Sequence, residues 1–109
     1  MQYNTIPLRD VDSTVDVVEW LNKNMTNNSS VLVHHVFFAW ADLYLDMKCV
    51  MVYYVKDLEG AVKVASNHNF DLIYLIWWNE NNTGWYGLSV PDYFQEVFSV
   101  DRVSVFKYQ

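Results

Sequence analysis

Three short runs, "SVLVHH", "CVMVYYV" and "DLIYLIWW", carry almost no charge and are rich in β-branched and aromatic residues. The first and third suit strands that are covered on both faces, and the second reads as a further strand. Each follows a segment whose apolar residues recur at helical spacing. This alternation constrains the fold more than any other feature of the chain. Helix and strand in turn imply a parallel sheet, right-handed crossovers and helices on both faces.

The details fill in around that frame. A first helix is expected over residues 13–25, with Ser13 as N-cap and Asp16 three residues on. Thr14, Val17, Val18, Leu21 and Met25 share its apolar face. "VFFAWADLYL" reads as a short buried helix with Phe37, Trp40, Ala41 and Tyr44 on one face. Asp57 caps a third helix, whose stripe is Leu58, Ala61, Val62 and Ala65, and Asn67, His68 and Asn69 close it. Pro91 is expected to open one helical turn. "QEVFSV" and "RVSVFKY" then form a hairpin that turns near Val100 and Asp101, its last strand alternating as a half-exposed strand does. The expected fold is α/β, a small Rossmann-like three-layer sandwich. Its parallel strands run in the order 2-1-3, and a C-terminal antiparallel hairpin extends the sheet beyond strand 3. Residues 1–12 form a lead-in and 13–109 a single domain, since 109 residues hold one core and not two.

Composition excludes several classes of function. Hydrophobic residues make up 52% and charged residues 18%, which rules out a disordered chain. The net charge of −6 and seven scattered Lys and Arg provide no basic patch, so nucleic acid is not an expected partner. Aromatics at 17% exceed what a small core needs and point to an apolar surface for a partner or a membrane face. Cys49 is alone, so no internal disulfide forms, and its apolar run marks it as a buried, inert thiol. No apolar run reaches the ~18 residues of a membrane span, and the opening residues do not read as a signal peptide.

In open α/β sheets ligands sit beyond the carboxyl ends of the strands, where the strand order reverses. Here that point lies between strands 1 and 3. It brings His34 and His35 toward Trp77, Trp78, Asn79 and Glu80. A histidine pair facing a carboxylate is able to bind a metal or move protons. Adjacent residues of an extended segment point to opposite faces, however, so both histidines cannot serve one site without a turn between them. The same rule sends Trp77 and Trp78 to opposite faces, so that at most one is expected in the core. The loop that follows adds Trp85 and Tyr86, a ring pair with no evident core position. The candidate ligand or partner surface is therefore His34, His35, Trp78, Asn79, Glu80, Trp85 and Tyr86. With Gly60, Gly84 and Gly87 as the only glycines, no phosphate-cradling loop is present, and no HExxH, CxxC or GxSxG occurs. No catalytic residue, metal or cofactor is assigned.

Four triplets fit the N-glycan acceptor pattern, at Asn24, Asn27, Asn28 and Asn81. Ten Asn and eleven Ser and Thr would give about one by chance, although three of the four share one loop. All are expected in loops, and they favour an extracytoplasmic location.

"VVEWLNKNM", "SVLVHHVFFAWADLYL", "DLEGAVKVA", "FDLIYLIWW" and "GWYGL" together cover about Val17 to Leu88. This set resembles the soluble tail domains of archaeal polytopic membrane proteins, the GT-C-type, dolichol-phosphate-sugar-dependent glycosyltransferases and their relatives. The resemblance implies a non-catalytic accessory domain outside the membrane, resting on the membrane half of its parent protein or on the membrane interface. That family keeps its catalytic carboxylates in the membrane half, so no catalytic residue carries over. Two other readings stand beside it. One is a carbohydrate or glycolipid-binding module stacking on Trp77, Trp78, Trp85 and Tyr86. The other is a small stand-alone enzyme using His34, His35 and Glu80.

Overall fold

The computed structural model describes residues 10–46, 49–79 and 88–109, with the backbone alone at Phe38. Along the chain come α1 (Val11–Asn24), β1 (Ser29–His34), a 3-10 turn (His35–Phe37), α2 (Phe38–Tyr44), β2 (Val50–Tyr54), α3 (Leu58–Ser66), β3 (Leu72–Trp78), β4 (Phe94–Val100) and β5 (Val103–Tyr108). These strands form one mixed sheet in the order β2-β1-β3-β5-β4. β1 pairs in parallel with β2 and β3, while β5 pairs antiparallel with β3 and β4. The architecture is the expected one, a parallel 2-1-3 core extended by a hairpin.

The connection from β1 to β2 runs one way along the sheet, and that from β2 to β3 runs back across β1. Right-handed crossovers in opposite directions place their helices on opposite faces. α2 therefore lies on one face, where α1 packs beside it and over β4 and β5. α3 covers β1 and β2 on the other face.

α1 buries Val17, Val18 and Leu21 completely. Each such side chain contributes roughly 1.5–3 kcal/mol through burial. Trp20 sits edge-on to Tyr74, with ring centroids 6.0 Å apart, and stacks on Phe98 at 5.1 Å. The helix starts at Val11, two residues before the expected cap, and residues 1–9 of the lead-in lie outside the described residues. Ser13 is not the N-cap. It is buried within the first turn, and its hydroxyl donates to Asp101 Oδ2 at 2.8 Å. Asp10 holds the cap position without a side-chain cap bond. Its carboxylate instead receives the Trp78 indole N–H at 3.1 Å.

α2 departs from expectation in a second way. The 3-10 turn delays it, and it is not buried all round. Ala41 and Leu45 face the core, whereas Asp42, Leu43 and Tyr44 are exposed. Its ring pair, Trp40 stacked on Tyr44 at 6.1 Å, thus reaches the surface. α3 follows the sequence closely. Asp57 Oδ1 accepts the Gly60 N–H at 2.9 Å, and Leu58, Ala61, Val62 and Ala65 are buried. Asn69, at φ 55°, turns the chain back toward the sheet.

β3 is the centre of the core. Side chains alternate along it, so Tyr74, Ile76 and Trp78 face α1 while Ile73, Leu75 and Trp77 face the α3 side. Both tryptophans are buried, which corrects the expectation that at most one would be. They do point to opposite faces, but each face stays covered to the last residue of the strand. β5 is likewise more buried than its alternation implied. It lies inside the sheet, and Val103, Ser104 and Val105 are all buried. Pro91 opens a turn closed by the Phe94 N–H on its carbonyl at 3.1 Å, not a turn of helix.

Candidate functional site

The place where fold logic puts a ligand is the carboxyl end of β1 and β3. His34 is the last residue of β1 and points to the α3 side, in step with Leu32 and Leu75. It is buried, and both ring nitrogens are engaged by backbone. Nδ1 accepts the Val36 N–H at 3.1 Å, so the proton belongs on Nε2, which donates to the Val55 carbonyl at 3.0 Å. The ring also stands edge-on to Tyr54, with centroids 5.3 Å apart. Burial lowers the His34 pKa to about 4; the Val55 carbonyl opposes that shift and neighbouring His35 adds to it. The imidazole is therefore neutral at physiological pH and ties the end of β1 to the end of β2. Its Nδ1 lone pair is already committed, which leaves it poorly placed to take a metal or a substrate proton.

The remaining candidates disperse. His35 begins the 3-10 turn and is exposed. Trp78 belongs to the core and is held by Asp10. Asn79 is exposed but turned toward β5, its backbone N–H on the Arg102 carbonyl at 2.6 Å and its amide nitrogen donating to Ser104 Oγ at 2.7 Å. Glu80, Trp85 and Tyr86 lie outside the described residues. A stacking platform for sugars loses Trp77 and Trp78 to the core, so it would rest on the Trp85–Tyr86 pair. Among the described residues no group of three His, Cys, Asp or Glu side chains is placed to hold a metal ion.

One cleft does open beside this end of the sheet, between the start of α3 and the segment entering β4. Lys56, Asp57 and Glu59 line one wall, with Leu88, Ser89 and Pro91 on the other. A helix N-terminus attracts anions, but here two carboxylates occupy that region and Asp57 already caps the helix. The cleft is therefore unsuited to phosphate. Of the acceptor asparagines, Asn27 and Asn28 are exposed in the turn before β1. Asn24 ends α1, with its amide on the Trp20 carbonyl at 2.8 Å, rather than lying in a loop. Asn81 is outside the described residues. Cys49 is buried, and its thiol donates to the Asp46 carbonyl at 3.2 Å.

Sequence reasoning missed a surface of another kind. Val50, Tyr53, Val55 and Val64 are all exposed, and they gather around β2 at one edge of the sheet. The signal was available. An order of 2-1-3 makes strand 2 an edge, and "CVMVYYV" is too apolar for an ordinary edge strand.

No described helix is long and apolar enough to cross a membrane. Compared with family models, with curated proteins and with solved structures, the chain has no match.

Proposed function

We propose that this chain is a non-catalytic accessory domain that acts by association, outside the membrane, beside the membrane half of a glycosyltransferase-like protein. The observation that carries the non-catalytic part is the state of His34. It is a titratable side chain at the strand ends with a strongly displaced pKa, and both its nitrogens serve the backbone. Perturbed groups often mark reactive sites, but this one is perturbed by burial and spent on structure. The extracytoplasmic part is supported by Asn27 and Asn28, exposed in the turn before β1. Segments behind the resemblance fall on regular elements: "VVEWLNKNM" on the later part of α1, "DLEGAVKVA" on α3 and "FDLIYLIWW" on β3.

Topology and dependence test the reading together. In the parent protein, Asn27→Cys should react with a membrane-impermeant maleimide in intact cells. Deleting residues 10–109 should lower recovery of the membrane half. Labelling only after lysis, or a parent gene that encodes no membrane spans, overturns the proposal.

A further inference from the structure

We infer that the β2 edge docks a second copy of this chain through a two-fold contact, with β2 pairing antiparallel to β2 and α3 lying beside α3. This goes beyond the accessory reading and holds whatever the chain is attached to.

The two edges of the sheet are built differently. Among the described residues β2 pairs with β1 alone, and its sequence "VMVYY" has no charge and no proline. Val50 and Val64 are 50% exposed. Of the eight large apolar side chains exposed among the described residues, four line this edge: Val50, Tyr53, Val55 and Val64. At the opposite edge, β4 presents Gln95, Glu96 and Ser99 to solvent and has a register shift between Glu96 and Phe98. Polar side chains and a bulge are the usual means of discouraging strand addition. β4 has them and β2 does not.

The edge is also complementary to itself. Asp57, Ala61, Val64 and His68 follow one another at spacings of four, three and four, which makes them one rim of α3. Two apolar grooves run between that rim and β2. One reaches Asp57 and Ala61, the other reaches His68 and Phe70, and both share Val52, Tyr53 and Val64. The middle of the rim is therefore level with the middle of β2. A two-fold axis there sets Ala61 against Val64 of the second copy, small against large. It sets Asp57 against His68 of the second copy, a carboxylate against an imidazole. On the strand, the Ser30 hydroxyl reaches the Val50 carbonyl at 2.9 Å from the β1 side. Peptide groups alternate in direction, so Val52 also faces β1, and the two copies of Val52 form a close, non-hydrogen-bonded pair on the axis. No like charges meet along "VMVYY".

Sedimentation equilibrium of the full chain tests this. The expected mass is twice 12.9 kDa, and association should tighten with added salt, which screens the repulsion of two chains of net charge −6. Val50→Lys and Val64→Lys should each weaken association at least tenfold while leaving the far-ultraviolet dichroism unchanged. His68→Asp should weaken it through repulsion from Asp57. Val52→Cys should form an intermolecular disulfide under mild oxidation. A monomer at millimolar concentration, a dimer indifferent to both lysine variants, or a dimer in which Val52→Cys fails to cross-link overturns the inference.

Discussion

Trp78 and Asp10 meet across 68 positions of sequence, the indole N–H donating to a buried carboxylate at 3.1 Å. The bond fastens the start of α1 to the end of β3. It also explains why Asp10, at the N-cap position, does not cap its own helix. Trp78→Phe leaves the carboxylate one donor short in a place where water cannot replace it. The variant should unfold about 2–4 kcal/mol more easily in urea, combining the lost charged hydrogen bond with the smaller ring. Asp10→Asn, which keeps an acceptor oxygen, should cost about 1 kcal/mol.

His34 makes stability depend on pH. Its folded-state pKa of about 4 lies below the ordinary 6.5. Between those values the unfolded chain holds a proton that the folded chain refuses. The contribution of His34 is therefore complete above pH 6.5 and is lost as pH falls through 6.5 toward 4. It amounts to at most about 3 kcal/mol. Urea titrations at pH 7 and pH 4.5 should show the fall. His34→Gln should start from a lower stability at pH 7 and lose less on acidification.

Gly60 and Asp57 are coupled. A Cβ at Gly60 would collide with the Asp57 carboxylate that caps the helix. Gly60→Ala gains about 1 kcal/mol of helix propensity but loses a cap worth about the same. The single variant should be neutral or slightly destabilised. In an Asp57→Ala background the same change should stabilise by about 0.5–1 kcal/mol. A thermal double-mutant cycle at low protein concentration measures the coupling.

The Tyr54 hydroxyl is buried with no hydrogen-bond partner among the described residues, and burial pushes its ionisation well above the ordinary phenol range. Tyr54→Phe should be neutral or raise stability by up to about 1 kcal/mol in denaturant unfolding, because the lone hydroxyl loses its water on folding and gains nothing.

The strand order was readable because βαβ chirality leaves few choices, and α3 because its cap and stripe are local. Ser13 was misread because its hydroxyl goes to Asp101, a tertiary contact that local spacing cannot show. The burial of both Trp77 and Trp78 escaped for a similar reason, since alternation gives the face of a side chain and not what covers that face. His34 and His35 were visible as residue types. The amide that fills His34 Nδ1 comes from the 3-10 turn, and an apolar sequence carries no signal for that turn. The apolar run of β2 was read only as a strand beside a buried Cys49, although its place in the strand order already made it an edge.

The register shift between Glu96 and Phe98 has one further consequence. A sheet that welcomed strands at both ends would add copies head to tail and grow into a fibre. Here growth has a stop built into one side. Among the described residues β4 terminates the sheet, so a second copy joined at β2 would close a finite pair instead of starting a polymer.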